Sequence, residues 1–139
     1  TKDMRYFLTL LLSIFLNLNV AHAQDIEIEV AQLKNLLDKN AVVIDIRREE
    51  EWKQTGVIFG SILSTFFNKD GTANINVFLD DLRERFSPEQ TILLICRTGR
   101  RTKVATKFMR SNTEFKEVFS VIGGITEWKK QGFTTVSYP

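Results

Sequence analysis

Two short runs of apolar residues constrain the fold of this chain more than any other feature. They lie at Val42–Ile46 and Ile92–Ile95, and both are rich in β-branched or leucine side chains. Because nearly every position in each run is apolar, both faces of the two strands must be covered. Such strands are typical of parallel sheets. The chain is therefore predicted to be an α/β domain, with a mainly parallel central sheet of about five strands flanked by helices on both faces.

Apolar spacing and turn residues place the other elements. Further strands are predicted at 25–30, within 58–67 and at 117–122. Helices are predicted over 30–37, 49–54, 78–86, 102–111 and 125–132. The inner face of the helix over 102–111 is predicted to hold Val104, Ala105, Phe108 and Met109. The carboxylates of 49–51 are expected to form a solvated helix face.

The first 23 residues differ from the rest. Arg5 precedes an apolar stretch over 6–16, and Ala21-His22-Ala23 follows it. This order predicts a secretory signal peptide cleaved after Ala23, with Thr1-Lys2-Asp3 as an expression remnant before Met4. The alternative is a membrane anchor, but Asn17 and Asn19 interrupt the stretch before the about 20 apolar residues that spanning needs. The domain is then expected over 24–139, periplasmic or secreted, without stable membrane insertion.

The counts of cysteine and histidine limit the chemistry. The chain has one cysteine, Cys96, and one histidine, His22, which the predicted cleavage removes. One cysteine cannot form an internal disulfide, a Cys-x-x-Cys pair or a structural zinc site. No motif indicates a cofactor or a metal, so we predict neither. The net charge of +2 gives no indication of a nucleic-acid partner.

Cys96 opens a basic loop directly after the second apolar run. The loop reads Cys96-Arg97-Thr98-Gly99-Arg100-Arg101-Thr102-Lys103, with four cations in eight residues. Sites in parallel sheets gather beyond the carboxyl ends of the strands. A helix start, four cations and a tight turn of amides at Gly99 would each favour an anion there. We therefore expect a thiolate nucleophile that needs no histidine base. The alternative is an inert buried cysteine beside a solvated basic helix start.

The loop resembles the active-site loop of rhodaneses. Cys96–Arg101 is similar to the Cys-Arg-x-Gly-x-Arg/Thr form associated with thiosulfate sulfurtransferases. Other segments resemble the family in the same order along nearly the whole mature chain: Val43–Arg47, Glu50-Glu51-Trp52, Thr55–Ser61, Gly123–Trp128 and Gly132-Phe133. The sequence departs from the family pattern at Val57, where many members have histidine, and at Phe59, where they have proline.

The resemblance implies a rhodanese-like domain and a sulfurtransferase activity. Sulfur would pass from thiosulfate, or a similar small anionic donor, to a thiol or cyanide through a persulfide on Cys96, and a protein could also be the acceptor. It implies a substrate-binding loop made of Arg97, Thr98, Gly99, Arg100 and Arg101. It also implies supporting roles for Asp45, Arg47 and Thr102.

Other functions remain open at this point. A non-enzymatic persulfide carrier or partner-binding module would share the loop, so the sequence does not separate it from an enzyme. A cysteine phosphatase or arsenate reductase would use a Cys-x5-Arg loop. Counting from Cys96, that arginine falls at Thr102, which makes the loop one residue too tight for a larger tetrahedral anion.

Overall fold

The two apolar runs form neighbouring parallel strands at the centre of one sheet. In the computed structural model, which describes residues 25–139, Ile44 lies opposite Leu94 in this pair. The five strands are β1 (Glu27–Ile28), β2 (Val42–Asp45), β3 (Ile62–Leu63), β4 (Ile92–Ile95) and β5 (Val118–Val121). Their order across the sheet is β1-β5-β4-β2-β3, and every neighbouring pair is parallel.

Five helices connect or follow the strands. They are α1 (Val30–Leu37), α2 (Glu49–Thr55), α3 (Ile75–Arg85), α4 (Arg100–Asn112) and α5 (Gly124–Lys130). The predicted edge strand at 25–30 is shortened to two residues because α1 already begins at Val30. Helix α4 begins two residues earlier than predicted, because Gly99 adopts a left-handed conformation (φ 91°) and turns the chain into the helix.

The sheet separates two apolar cores. Ile92 and Leu94 of β4 point to one core, which α3 and α4 cover. Leu93 and Ile95 point to the other, which α1 and α5 cover. All four β4 residues are at most 1% exposed, and burying each side chain contributes about 1.5–3 kcal/mol. The predicted α/β class, with a parallel five-stranded sheet and helices on both faces, is confirmed.

The inner face of α4 differs from the prediction in one respect. Val104 is 55% exposed, whereas Ala105 and Met109 are buried as expected. The buried residues Thr102, Ala105, Thr106 and Met109 recur at helical spacing, and Val104 lies on the opposite side of the helix. Two threonines therefore occupy core positions that the apolar pattern did not indicate.

The predicted signal peptide over 1–23 lies outside the described residues. Within 25–139, no helix has both the length and the apolarity that crossing a bilayer requires. Val57 is buried and bridges Val136 in the last residues of the chain, whereas Phe59 is 82% exposed.

Candidate active site

Cys96 follows β4 directly and lies at the carboxyl edge of the sheet. The residue is 1% exposed, and its side chain lies in the core that α3 and α4 cover. The sulfur nevertheless has polar neighbours on the loop side. The Gly99 N–H donates to Sγ over 3.2 Å, and Thr102 Oγ1 lies 3.5 Å from Sγ. Sγ therefore lies at the floor of the loop, between the apolar core and a small set of hydrogen-bond donors.

The turn before α5 fixes the backbone of the loop. The Ile125 N–H donates to the Cys96 carbonyl over 2.9 Å, and the Thr126 N–H donates to the Arg97 carbonyl over 3.0 Å. Gly124 packs so tightly that a Cβ atom there would lie 2.3 Å from the Cys96 carbonyl oxygen. The first loop residues are thus held from the β5 side.

The amides at the start of α4 are free to bind an anion. The first helical hydrogen bond runs from the Lys103 N–H to the Gly99 carbonyl. The N–H groups of Thr98, Arg100 and Arg101 have no acceptor in the part of the protein that the structure describes. Such groups carry the positive end of the helix dipole. They are therefore available to an anionic ligand bound at the Cys96 loop.

A cleft of about 500 Å³ opens beside the loop. Its lining residues are Arg48, Glu50, Glu51, Gln54, Lys69, Arg97, Thr98, Arg100 and Arg101. Both carboxylates are already paired with cations of the lining, one with Arg48 and the other with Arg101. The remaining cations, Lys69, Arg97 and Arg100, have no carboxylate partner among residues 25–139. The cleft therefore presents three uncompensated positive charges to an anionic ligand.

Arg101 is held differently from the other loop arginines. Its Nη1 and Nη2 donate to the two carboxylate oxygens of Glu51 over 2.8 and 2.6 Å. The two side chains are only 23% and 11% exposed, respectively. Hydrogen bonds to Glu51 raise the pKa of Arg101, although burial lowers it, and Cys96 and Asp45 lie close enough to interact with its charge. A positive charge is therefore fixed close to the sulfur, while the forked end of Arg101 is occupied by a protein carboxylate.

The expectation that Glu51 faces solvent, as part of 49–51, is wrong. Its side chain occupies the third position of α2 and accepts the Arg48 N–H over 3.1 Å, as well as the two bonds from Arg101. Burial by itself raises the pKa of Glu51, but the hydrogen bonds from Arg101 and from the Arg48 amide outweigh it and lower this pKa to about 2. Glu51 is therefore a carboxylate throughout the physiological range.

Asp45 and Arg47 form a buried ion pair at the end of β2. Both side chains are 0% exposed, and Arg47 Nε and Nη2 donate to Asp45 over 3.0 and 2.8 Å. The other donors of Arg47 reach the Thr55 hydroxyl (2.7 Å) and the Gly56 carbonyl (3.0 Å). These contacts tie β2 to the end of α2. They hold the helix that carries Glu51, rather than the sulfur itself.

Sequence reasoning missed two residues of the site, Glu51 and Ser120. Glu51 is one of three consecutive glutamates, and only its side chain turns inward. The available signal was its position three residues after Arg48, where a carboxylate can cap the start of a helix. Ser120 lies within the strand β5, is 0% exposed, and contacts Thr102 with its hydroxyl. A buried polar residue inside an apolar strand was the available signal. Within the described part of the chain, no cluster of histidine, cysteine and carboxylate side chains is arranged to hold a metal ion.

Comparison with known proteins agrees with this architecture. The rhodanese-like domain family matches residues 29–131. The chain is 36% identical over 97 residues to the rhodanese domain-containing protein CG4456 of Drosophila melanogaster, covering 65% of this chain and 84% of that protein. It is 30% identical over 102 residues to the thiosulfate sulfurtransferase GlpE of Pseudoalteromonas translucida, covering 73% of this chain and 87% of that protein.

A solved structure has the same fold. The crystal structure of a rhodanese-like domain protein from Staphylococcus aureus aligns with a TM-score of 0.60, over 80% of this chain and 98% of that one, at 21% identity. At this identity the likeness shows the fold alone. The family match, in contrast, covers most of the sequence and includes the whole Cys96 loop. The chain therefore belongs to the rhodanese-like domain family, which includes sulfurtransferases.

Proposed function

We propose that this domain is a sulfurtransferase that carries sulfane sulfur on Cys96. The observation that carries the proposal is the position of Sγ, which accepts the Gly99 N–H at the floor of a loop whose exposed side is cationic. Residues 25–139 contain no histidine, so the thiolate is stabilised by donors and charges instead of being formed by an imidazole base.

The proposed donor is thiosulfate or a similar small anion. Because Cys96 is almost fully covered, only the outer sulfur of the donor reaches Sγ, and the sulfonate stays among the exposed cations. Arg97 and Arg100 have uncompensated charge for this purpose, and arginine donors suit oxyanions. Arg101 would contribute its charge and its amide, because its forked end is bound to Glu51.

Transfer occurs in two displacements. The Cys96 thiolate attacks the outer sulfur of thiosulfate, a new S–S bond forms, and the old S–S bond breaks with its electron pair leaving on sulfite. The free amides of Thr98, Arg100 and Arg101 then stabilise the terminal sulfur anion of the persulfide. A thiolate or cyanide attacks that terminal sulfur, and Cys96 leaves as a thiolate, which restores the resting state.

Mass spectrometry tests the proposal directly. After treatment with thiosulfate and no reductant, the protein is expected to gain about 32 Da, one sulfur atom, and to lose it again on addition of cyanide. Because Cys96 is the only cysteine, Cys96→Ala removes every thiol and is the matched control. An unmodified mass in the wild-type protein at saturating thiosulfate would overturn the proposal.

A carrier that passes its sulfur only to a protein partner is the second candidate. The exposed, cationic cleft favours an anionic donor but leaves the acceptor open. A persulfide that forms normally, yet survives cyanide and small thiols, would favour the carrier over the enzyme.

We further propose that the domain, residues 24–139, is exported after cleavage at Ala23. The proposal rests on the basic start, the apolar stretch and the small-residue site in the sequence. N-terminal sequencing of protein recovered from its native host is expected to begin at Gln24. A start at Met4 would overturn export by cleavage.

A further inference from the structure

A buried pair of hydroxyl groups lies beneath Cys96. Ser120 on β5 and Thr102 on α4 are both 0% exposed, and their oxygens are 2.7 Å apart. Thr102 Oγ1 in turn lies 3.5 Å from Cys96 Sγ and 3.1 Å from the Gly99 carbonyl. We propose that Ser120 is a positioning residue for Cys96 and acts through Thr102. The inference extends the proposed sulfurtransferase function, on which it rests.

The number of protons in this group sets the direction of the bonds. Each hydroxyl has one proton to donate. The described residues offer Ser120 Oγ one partner, Thr102, whereas Thr102 has two acceptors within reach, Sγ and the Gly99 carbonyl. A thiolate only accepts hydrogen bonds. In the structure Thr102 donates to the Gly99 carbonyl, and Ser120 donates to Thr102. With Sγ ionised, the charged sulfur is the stronger acceptor, so the Thr102 proton turns to sulfur while Ser120 still donates to Thr102.

This arrangement favours a charged sulfur. Hydrogen bonds to ionised groups are about twice as strong as those between neutral groups. A hydroxyl that accepts one bond also becomes a better donor, because the bonds polarise one another. Ser120 thus strengthens the bond from Thr102 to Sγ without touching the sulfur. Gly99 N–H supplies the second donor, at 3.2 Å.

The bonds rearrange when sulfur is transferred. In the persulfide, the negative charge moves to the terminal sulfur and Sγ becomes a neutral bridging atom. Thr102 then turns its proton to the Gly99 carbonyl, 3.1 Å away. The Ser120–Thr102 pair therefore stabilises the thiolate more than the persulfide. It assists the displacement in which Cys96 is the leaving group.

Charged groups approach the sulfur from other elements. Arg101 of α4 is a positive charge close enough to interact with Cys96, and Glu51 of α2 partly neutralises it. Asp45 lies at the end of β2 with Arg47 as its partner. Strand β5, in contrast, contributes no charged residue, and Ser120 is its only polar one. Removing the Ser120 hydroxyl therefore changes the hydrogen bonding at Sγ and leaves these charges in place.

Titration of the thiolate by its ultraviolet absorbance tests the inference. The Cys96→Ala protein gives the baseline, and no sulfur donor is needed. Ser120→Ala is expected to move the midpoint to higher pH, so that the thiolate fraction below the midpoint falls about three- to tenfold. Ser120→Thr keeps a hydroxyl and is expected to restore most of the wild-type midpoint. Thr106→Val is the matched control, because Thr106 is a buried threonine of α4 whose hydroxyl has no partner among the described residues.

A double-mutant cycle separates positioning from packing. In a Thr102→Val background, Ser120→Ala is expected to leave the midpoint of the thiolate titration unchanged, because the Thr102 hydroxyl that links Ser120 to the sulfur is absent. An equal shift in both backgrounds, or a lower melting temperature with an unchanged midpoint, would overturn the inference. The titration uses no thiosulfate, so its outcome does not depend on persulfide formation. A protein that never forms a persulfide would refute the proposed function, whereas the midpoints of the Ser120 variants would still decide the role of Ser120.

Discussion

Replacing Glu51 by glutamine keeps the size of the side chain and removes the charge that holds Arg101. The folded-state pKa of Glu51 is about 2, compared with 4.5 for the free group. This difference corresponds to about 3.4 kcal/mol of stability at neutral pH. Because the pair borders an open cleft, solvent screening reduces the contribution to about 1–2 kcal/mol. Glu51→Gln is expected to lower the free energy of unfolding by that amount at pH 7.

The pH dependence of this loss distinguishes a charge effect from a packing effect. The pKa of Glu51 is lower in the folded state than in the unfolded one, so its contribution is complete above about pH 4.5 and disappears as the pH falls through about 2. The difference in stability between wild type and Glu51→Gln should therefore shrink steadily over this range. Urea unfolding at several pH values measures it.

Glu49→Gln is the matched control for this experiment. Glu49 begins the same helix and is about half exposed, and its partners, Lys53 and the Tyr138 hydroxyl, also lie on the surface. Its replacement should change the free energy of unfolding little at any of these pH values. A Glu51→Gln protein that loses equal stability at pH 2 and pH 7, or no more than Glu49→Gln loses, would refute the role of the buried pair.

Three further changes test other contacts. Gly124→Ala would place a Cβ 2.3 Å from the Cys96 carbonyl oxygen at a φ of +55°, so it is expected to lower the free energy of unfolding, measured in urea, by about 2–4 kcal/mol. Gly132 is the control: it has a φ of +83° but open space around it, so Gly132→Ala should lower the same free energy by about 1 kcal/mol. Arg97→Ala should raise the thiosulfate concentration that gives half-maximal persulfide formation several-fold, at an unchanged melting temperature, because its charge lies at the cleft surface and has no protein partner among residues 25–139. Arg47→Met leaves the Asp45 charge buried and alone, and should lower the free energy of unfolding by about 3–5 kcal/mol, measured by chemical denaturation.

The central strands and the position of the loop could be predicted because they follow from local patterns. The apolar runs of β2 and β4 require burial on both faces whatever surrounds them, and the loop at Cys96 has to leave the carboxyl end of a parallel strand. The edge strand predicted over 25–30 is too long, since the alternation of polar and apolar residues continues to Val30, which belongs to the first turn of α1.

The hydrogen-bond partners inside the site could not be predicted, because they join residues far apart in the chain. The bond between Arg101 and Glu51 spans 50 positions, and the bond between Ser120 and Thr102 spans 18. The Thr102 and Thr106 side chains look like surface residues by composition and are buried only because α4 rotates them towards the sheet. Such pairings depend on how α2 and α4 pack against the sheet, and the periodicity of apolar residues in the sequence does not specify that packing.

The ion pairs near the loop are connected, and the last of them, between Glu51 and Arg101, lies close to the sulfur. Arg47 fixes the end of α2 through Thr55 and Gly56, α2 carries Glu51, and Glu51 fixes the charge of Arg101. Since the folded-state pKa of Glu51 is about 2, this support stays intact until the pH approaches about 2. A change in sulfur transfer between neutral and mildly acidic pH therefore reports ionisation of the reacting groups, and not loss of the Arg101 anchor. Any change that appears only as the pH approaches about 2, and that Glu51→Gln abolishes, reports loss of the anchor instead.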